Sequence, residues 1–334
     1  MPRAIPAAPR SLYGLEDRLE MNYRPYRPKR LGIEDLRRLA RRLPPLRVGY
    51  SLYVRVRLHL HSMITFLKIQ YLRVAPKRRH RCDRSSNVIV SLTTFPARIG
   101  ATWITVESIL RQSKPPGCIV IVLAEDEFYG AEVPHSITRL ESRGVEILWT
   151  SKNGRSYNKL IPTRAKYPNR PIVTVDDDVY YPPWMLSSLL ESWTRHPDAI
   201  VGHRGWTVSV SDGRLLSYPD WPAADSSTAS HLVFLTGVGG ILYPPGILPD
   251  ALLLNLSLAT ELCPTADDVW FWAVAQSSGV PRHCLGNQGH RLIHAQELTP
   301  SLASVNWHEG QNDVQVASAV DYFGGLAPML APPS

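Results

Sequence analysis

From Asn87 onward, short β-branched runs alternate with longer stretches of helical spacing. Residues 88–92 read as a strand, Thr93-Thr94-Phe95-Pro96-Ala97-Arg98 as a loop, and 103–112 as a helix that stops at Lys114-Pro115-Pro116-Gly117. A second strand over 118–123 runs into Ala124-Glu125-Asp126-Glu127. The pattern then predicts a helix over 134–143 closed by Gly144, and a third strand over 145–149. A short helical turn follows over 159–166, and a fourth strand over 172–175. Strands that alternate with helices predict an α/β fold, with a mostly parallel central sheet flanked by helices. Such sheets bind ligands outside the carboxyl ends of their strands.

The polar residues gather on that edge. Thr94 and Arg98 follow the first strand, Glu125 and Asp126 the second, Ser156 and Lys159 the third. The fourth strand, Ile172-Val173-Thr174-Val175, drives straight into Asp176-Asp177-Asp178 and ends before Pro182-Pro183. Three adjacent carboxylates repel one another and call for a cation or open water. Asp176 and Asp178 project to the same side of an extended chain. Two such acids suit Mg²⁺ or a similar hard ion, which fills its remaining positions with water and phosphate oxygens. A solvated acidic turn would carry the same residues. A cation, an arginine, a lysine and acids on one edge suit a nucleoside diphosphate. Neither G-x-G-x-x-G nor G-x-x-x-x-G-K-[ST] occurs, so dinucleotide and P-loop chemistry have no foothold.

Charge separates the chain into an arm and a body. Residues 1–84 hold 21 of the 37 Lys and Arg and 6 of the 29 Asp and Glu, which leaves 16 and 23 in residues 85–334. A basic extension over 1–84 and a mildly acidic globular body over 85–334 follow. The arm carries an amphipathic pattern at 31–43, apolar at 31, 33, 36, 39, 40 and 43 with Arg between. Such segments favour anionic lipid surfaces, although a helix packed on the body would look the same. Arg55, Arg57, Lys68 and Arg73 interrupt the most apolar stretch, so no spanning helix is expected. Lacking the pattern of a secretion signal as well, the chain is expected in the cytoplasm, peripheral on the inner face of the membrane. No nucleic-acid motif is present, and nucleic acid is not expected as a partner. Cys82, Cys118, Cys263 and Cys284 have no metal or redox spacing and are expected to be reduced.

Two later segments complete the picture. Thr236-Gly237-Val238-Gly239-Gly240 brings three glycines into four residues, which fits either a hairpin or a backbone that approaches a ligand closely. Cys263-Pro264-Thr265-Ala266-Asp267-Asp268-Val269-Trp270 reads as a helix start, with Thr265 as N-cap and two acids in the first turn. Those acids complement the helix dipole, and equally one of them fits a general base.

VIVSLTTFPARI, SYNKLIP, IVTVDDDVYYP, TGVGGILYPPG and CPTADDVWFW, in this order, resemble bacterial glycosyltransferases of the GT-A fold that build surface polysaccharides. The resemblance covers about residues 87–315. It implies a metal-dependent transferase of hexosyltransferase type, moving a sugar from a nucleotide sugar, a UDP-sugar for choice, to a glycan or lipid-linked acceptor with inversion. Asp176 and Asp178 would hold Mn²⁺ or Mg²⁺. Thr93, Thr94, Arg98, Glu125, Asp126, Lys159, Asp177, Gly237, Gly239 and Gly240 would bind the donor. Asp268 would be the base and Asp267 would position the acceptor. His203, His290, His294 and His308 are candidates for a third metal ligand. The rival readings are a nucleotidyltransferase, which uses similar acids on a similar sheet, and a degenerate membrane-bound scaffold.

Overall fold

The structure is a computed structural model and describes residues 63, 67, 70–72, 80–224, 229–286, 293–294 and 310–326. The chain divides into two units, Met1–Leu60 and His61–Ser334, and every described residue belongs to the second. The amphipathic pattern at 31–43 therefore lies outside the described residues.

Seven strands build the central sheet: β1 (Ile89–Thr93), β2 (Cys118–Ala124), β3 (Val145–Thr150), β4 (Ile172–Thr174), β5 (Ile200–Gly202), β6 (Ile241–Tyr243) and β7 (Arg282–Cys284). Their spatial order is β7-β5-β6-β4-β1-β2-β3. Strand β6 is antiparallel to both its neighbours, and every other pair in the sheet is parallel. The expected mostly parallel α/β sheet is therefore the observed one.

Alternation along the strands explains why both faces are covered. Val90, Leu92, Ile119, Ile121, Val173 and Leu242 point into one core, where they meet Ile99, Val106 and Ile109 of helix α1 (Pro96–Leu110). A second short helix, α2 (Ile161–Lys166), follows the third strand. Met185, Leu186 and Leu189 of helix α3 (Met185–Arg195) join that first core. Ile89, Val120, Val122, Ile172, Ile241 and Tyr243 point the other way, toward Val269, Trp270, Phe271 and Val274 of helix α4 (Asp267–Ser277). Helix α4 is apolar nearly all round beyond its first turn, so it sits deep in the molecule. Each Val, Ile or Leu buried this way contributes roughly 1.5–3 kcal/mol.

Three local expectations are corrected. Helix α1 begins at Pro96 rather than at 103, because proline lacks an N–H that the first helical turn does not need and has its φ preset. This moves Arg98 from a loop into the first turn of α1. The stretch 134–143 breaks into a helix over His135–Thr138 and a 3₁₀ turn over Glu141–Arg143, closed as expected by Gly144 with φ 92°. Thr265 is not the N-cap of α4; Ala266 is, without a side-chain cap. The Gln315 Oε1 instead accepts the N–H groups of Thr265 and Ala266 at 2.9 and 3.0 Å. Gln315 lies on helix α5 (Gln311–Tyr322), far along the chain, so the cap is tertiary rather than local.

Candidate active site

The carboxyl ends of β1, β2, β3 and β4 lie on one edge of the sheet, as parallel pairing requires. Because β6 runs antiparallel, its amino end reaches the same edge, with Ile241 opposite Thr174. The 3₁₀ turn Gly237–Gly239 that precedes it is thereby set beside the three acids. Gly240 has φ 89°, a backbone state that β-branched or bulky residues resist.

The three acids have different surroundings. Asp177 is buried, and its carboxylate accepts the Thr94 hydroxyl at 2.5 Å and Arg98 Nη1 at 3.2 Å. Its carbonyl accepts the Thr105 hydroxyl, which also reaches the Val179 carbonyl. Burial pushes the Asp177 carboxyl up to about 6, against the pull of the Thr94 hydrogen bond. The resemblance places Thr94 and Asp177 at the donor; in the structure both oxygens of Asp177 face protein groups, one of them the Thr94 hydroxyl. Thr94→Val is expected to cost about 1–3 kcal/mol of unfolding free energy at pH 7, the range for stranding a buried polar group. Urea denaturation measures it.

Asp176 and Asp178 stand nearer the surface, at 31% and 15% side-chain exposure. Arg98 Nη1 lies 3.2 Å from Asp178, so one guanidinium spans Asp177 and Asp178. Lys159 Nζ lies 3.2 Å from Asp176 and 3.0 Å from Asp267. That ammonium joins the end of β4 to the start of α4. Burial alone would lower the Lys159 pKa, but Asp176, Asp267 and Asp268 together hold it well above its ordinary value. Lys159 ends the 3₁₀ turn Arg155–Lys159, which is anchored by Tyr157, whose hydroxyl donates to the Cys263 carbonyl at 2.6 Å. The same strut thus positions the lysine and the approach to α4.

Asp267 and Asp268 diverge at the first turn of α4. Asp267 is buried beneath Lys159, whereas Asp268 is half-buried and accepts the Gly237 N–H with both oxygens, at 3.1 and 3.0 Å. Burial and the neighbouring Asp267 push Asp268 up to about 7, against the pull of Lys159 and the Gly237 N–H. A Cβ on Gly237 would come 2.7 Å from Lys159 Nζ, so a larger residue there would displace the ammonium.

The remaining candidates scatter more widely. Thr93 donates its hydroxyl to the Val122 carbonyl at 2.9 Å. Glu125 and Asp126 stand exposed in the turn after β2, and neither joins the ion pairs of Lys159 or Arg98. Gly239 packs its backbone on Arg204 and His203. His203 is buried, with Nε2 3.0 Å from the Met185 carbonyl and 3.1 Å from the Ser188 hydroxyl of α3. His290 and His308 lie outside the described residues, as does the side chain of His294. Thr105 and Tyr181 hold the acidic segment without having been singled out; Thr105 gives no sequence signal, and Tyr181 stood unremarked inside the DDDVYYP motif.

Among the described residues, no group of three or more His, Cys, Asp or Glu side chains is arranged to hold a metal ion. Asp176 is held by Lys159 and Asp178 by Arg98, so each of the two acids expected at a metal faces a protein cation. All four cysteines are free thiols, Cys118 half-buried and the others buried.

No family model and no curated protein matches the chain. Among solved structures, it is similar to a mannosyltransferase, PcManGT from Pyrobaculum calidifontis in complex with GDP-Man and Mn²⁺, with TM-score 0.45 and 13% identity over 83% of this chain and 76% of that one. It is similar also to 4-diphosphocytidyl-2C-methyl-D-erythritol synthase, with TM-score 0.37 and 14% identity over 68% and 99% of the two chains. TarS 1-349 of S. aureus follows, with TM-score 0.35 and 12% identity over 56% and 55%.

Proposed function

We propose that the protein is a glycosyltransferase that takes a sugar from a nucleotide sugar, with UDP-sugars favoured, and passes it to a glycan or lipid-linked hydroxyl with inversion. The observation that carries this reading is Lys159, whose ammonium pairs with Asp176 on one side and Asp267 on the other. It brings a phosphate-side acid cluster and a base-side acid pair into one site. Asp176 and Asp178 would hold Mn²⁺ or Mg²⁺, which supplies charge neutralisation at the departing diphosphate. Lys159 and Arg98 add positive charge at the same edge, where a developing anion gains most from preorganised partners.

Asp268 is the general base. It is the more exposed of the α4 acids, and a pKa near 7 lets it both exist as carboxylate and accept a proton at neutral pH. It takes the proton of the acceptor hydroxyl as that oxygen bonds to the anomeric carbon, and the bond from that carbon to the diphosphate breaks. Asp267, fixed by Lys159, positions the acceptor. The glycine turn offers backbone to the donor sugar, with Thr93, Glu125 and Asp126 along the rim for ribose and base. Isothermal calorimetry with UDP tests the donor half of the site: binding with Mn²⁺ present and its loss with EDTA support the reading. Equal binding in both conditions would contradict it.

The basic extension, residues 1–84, is proposed to hold the enzyme at an anionic lipid surface near its acceptor. No helix among the described residues is long and apolar enough to cross a membrane. The full chain is expected to sediment with phosphatidylglycerol liposomes at low salt and to be released as screening rises. Sedimentation that ignores salt would rule this out.

A further inference from the structure

The hydroxyl of Tyr181 lies where the two halves of the site meet. The ring is buried at 1% exposure, and the hydroxyl accepts the Asp176 N–H at 2.9 Å and donates to the Val238 carbonyl at 3.1 Å. Val238 is the middle of the 3₁₀ turn Gly237–Gly239, and the N–H of Gly237 is held by both oxygens of Asp268. A continuous chain therefore runs from the Asp176 backbone through Tyr181 and the turn to the Asp268 carboxylate. Lys159 spans the same gap with charge, from Asp176 to Asp267. The lysine bridge is exposed to competition from any anion that enters the site, whereas the tyrosine bridge is neutral and buried.

We infer that the Tyr181 hydroxyl is a positioning group that sets the distance between Asp176 and Asp268. The inference rests on the transferase reading above. Tyr181 does not touch the reacting atoms. It acts by keeping the base-side turn in register with the end of β4 when phosphate competes with Asp176 for Lys159, which keeps its pair with Asp267. The residue makes another buried hydrogen bond at its other end, where its N–H donates to the Ser108 hydroxyl at 3.1 Å. That contact faces α1 and not the site, so it serves as an internal control.

The test compares Tyr181→Phe with Ser108→Ala in the full chain. The substrate is whichever nucleotide sugar the wild type turns over fastest in a panel of UDP- and GDP-sugars with Mn²⁺. Tyr181→Phe is expected to keep the donor KM and the calorimetric affinity for UDP with Mn²⁺. Its kcat should fall roughly 10- to 100-fold, the scale on which a small misplacement of reacting groups acts. Ser108→Ala is expected to melt at a lower temperature with unchanged kcat. Wild-type kcat in Tyr181→Phe overturns the inference, and so does a fall in kcat that both variants share. Failure of Tyr181→Phe to fold would make the hydroxyl a stability group and overturn it as well. If the wild type turns over none of the panel and does not bind UDP with Mn²⁺, the transferase reading fails and the inference falls with it.

Discussion

Asp176→Asn and Asp178→Asn should each abolish sugar transfer while leaving the fold intact. Each change removes a negative charge at the partly exposed end of β4 and keeps the side-chain volume. Breaking a buried ion pair by deleting one partner costs about 3–5 kcal/mol when the other charge is stranded. Neither change strands one here: Lys159 keeps Asp267, and Arg98 keeps Asp177. Melting temperatures close to wild type are therefore expected beside a complete loss of activity. Chelation with EDTA should reproduce the loss in the wild type, and added Mn²⁺ should restore it there but not in the variants. Activity that survives both substitutions would remove the metal from the account.

Asp268→Asn separates chemistry from binding. Removing a general base typically lowers turnover by about 10²–10⁴-fold. The donor contacts proposed for Asp176, Asp178 and Lys159 are untouched by this change, so calorimetric affinity for UDP with Mn²⁺ should hold. The wild-type pH profile carries a second expectation. Asp268 is raised to about 7, so the base form is scarce in acid, and kcat/KM should climb as pH rises through about 7 before levelling. The Asn variant should lose that limb. A variant with near-normal kcat would move the base to Asp267 or elsewhere.

The sheet was legible because its strands are short β-branched runs that end in polar residues, and parallel order then puts those ends on one edge. Period-two alternation put Asp176 and Asp178 on one side, but β4 ends at Thr174 and the acids follow in a turn, where Arg98 joins Asp178 to Asp177 and Lys159 takes Asp176; Thr94 and Thr105, distant in sequence, bury Asp177. The start of α1 was hidden because Thr-Thr-Phe-Pro carries no apolar period, and so Arg98 looked like a loop residue. The cap of α4 by Gln315 joins residues some fifty positions apart in sequence, beyond the reach of any local motif. The reversed direction of β6, which carries the glycine turn to the acidic edge, is likewise a property of pairing and not of composition. Lys159 could be picked out in the sequence, but its two carboxylate partners could not be.

The central claim is that these acids and Lys159 form one site for sugar transfer from a nucleotide donor, and product analysis tests it most directly. The purified full chain would be incubated with Mn²⁺ and a panel of UDP- and GDP-sugars, and separately with nucleoside triphosphates and sugar phosphates, and the products resolved by mass. Release of nucleoside diphosphate from one of the nucleotide sugars, lost in Asp176→Asn and Asp268→Asn, is the predicted result. Release of pyrophosphate from a nucleoside triphosphate, with no diphosphate from any nucleotide sugar, would contradict it and make the protein a nucleotidyltransferase.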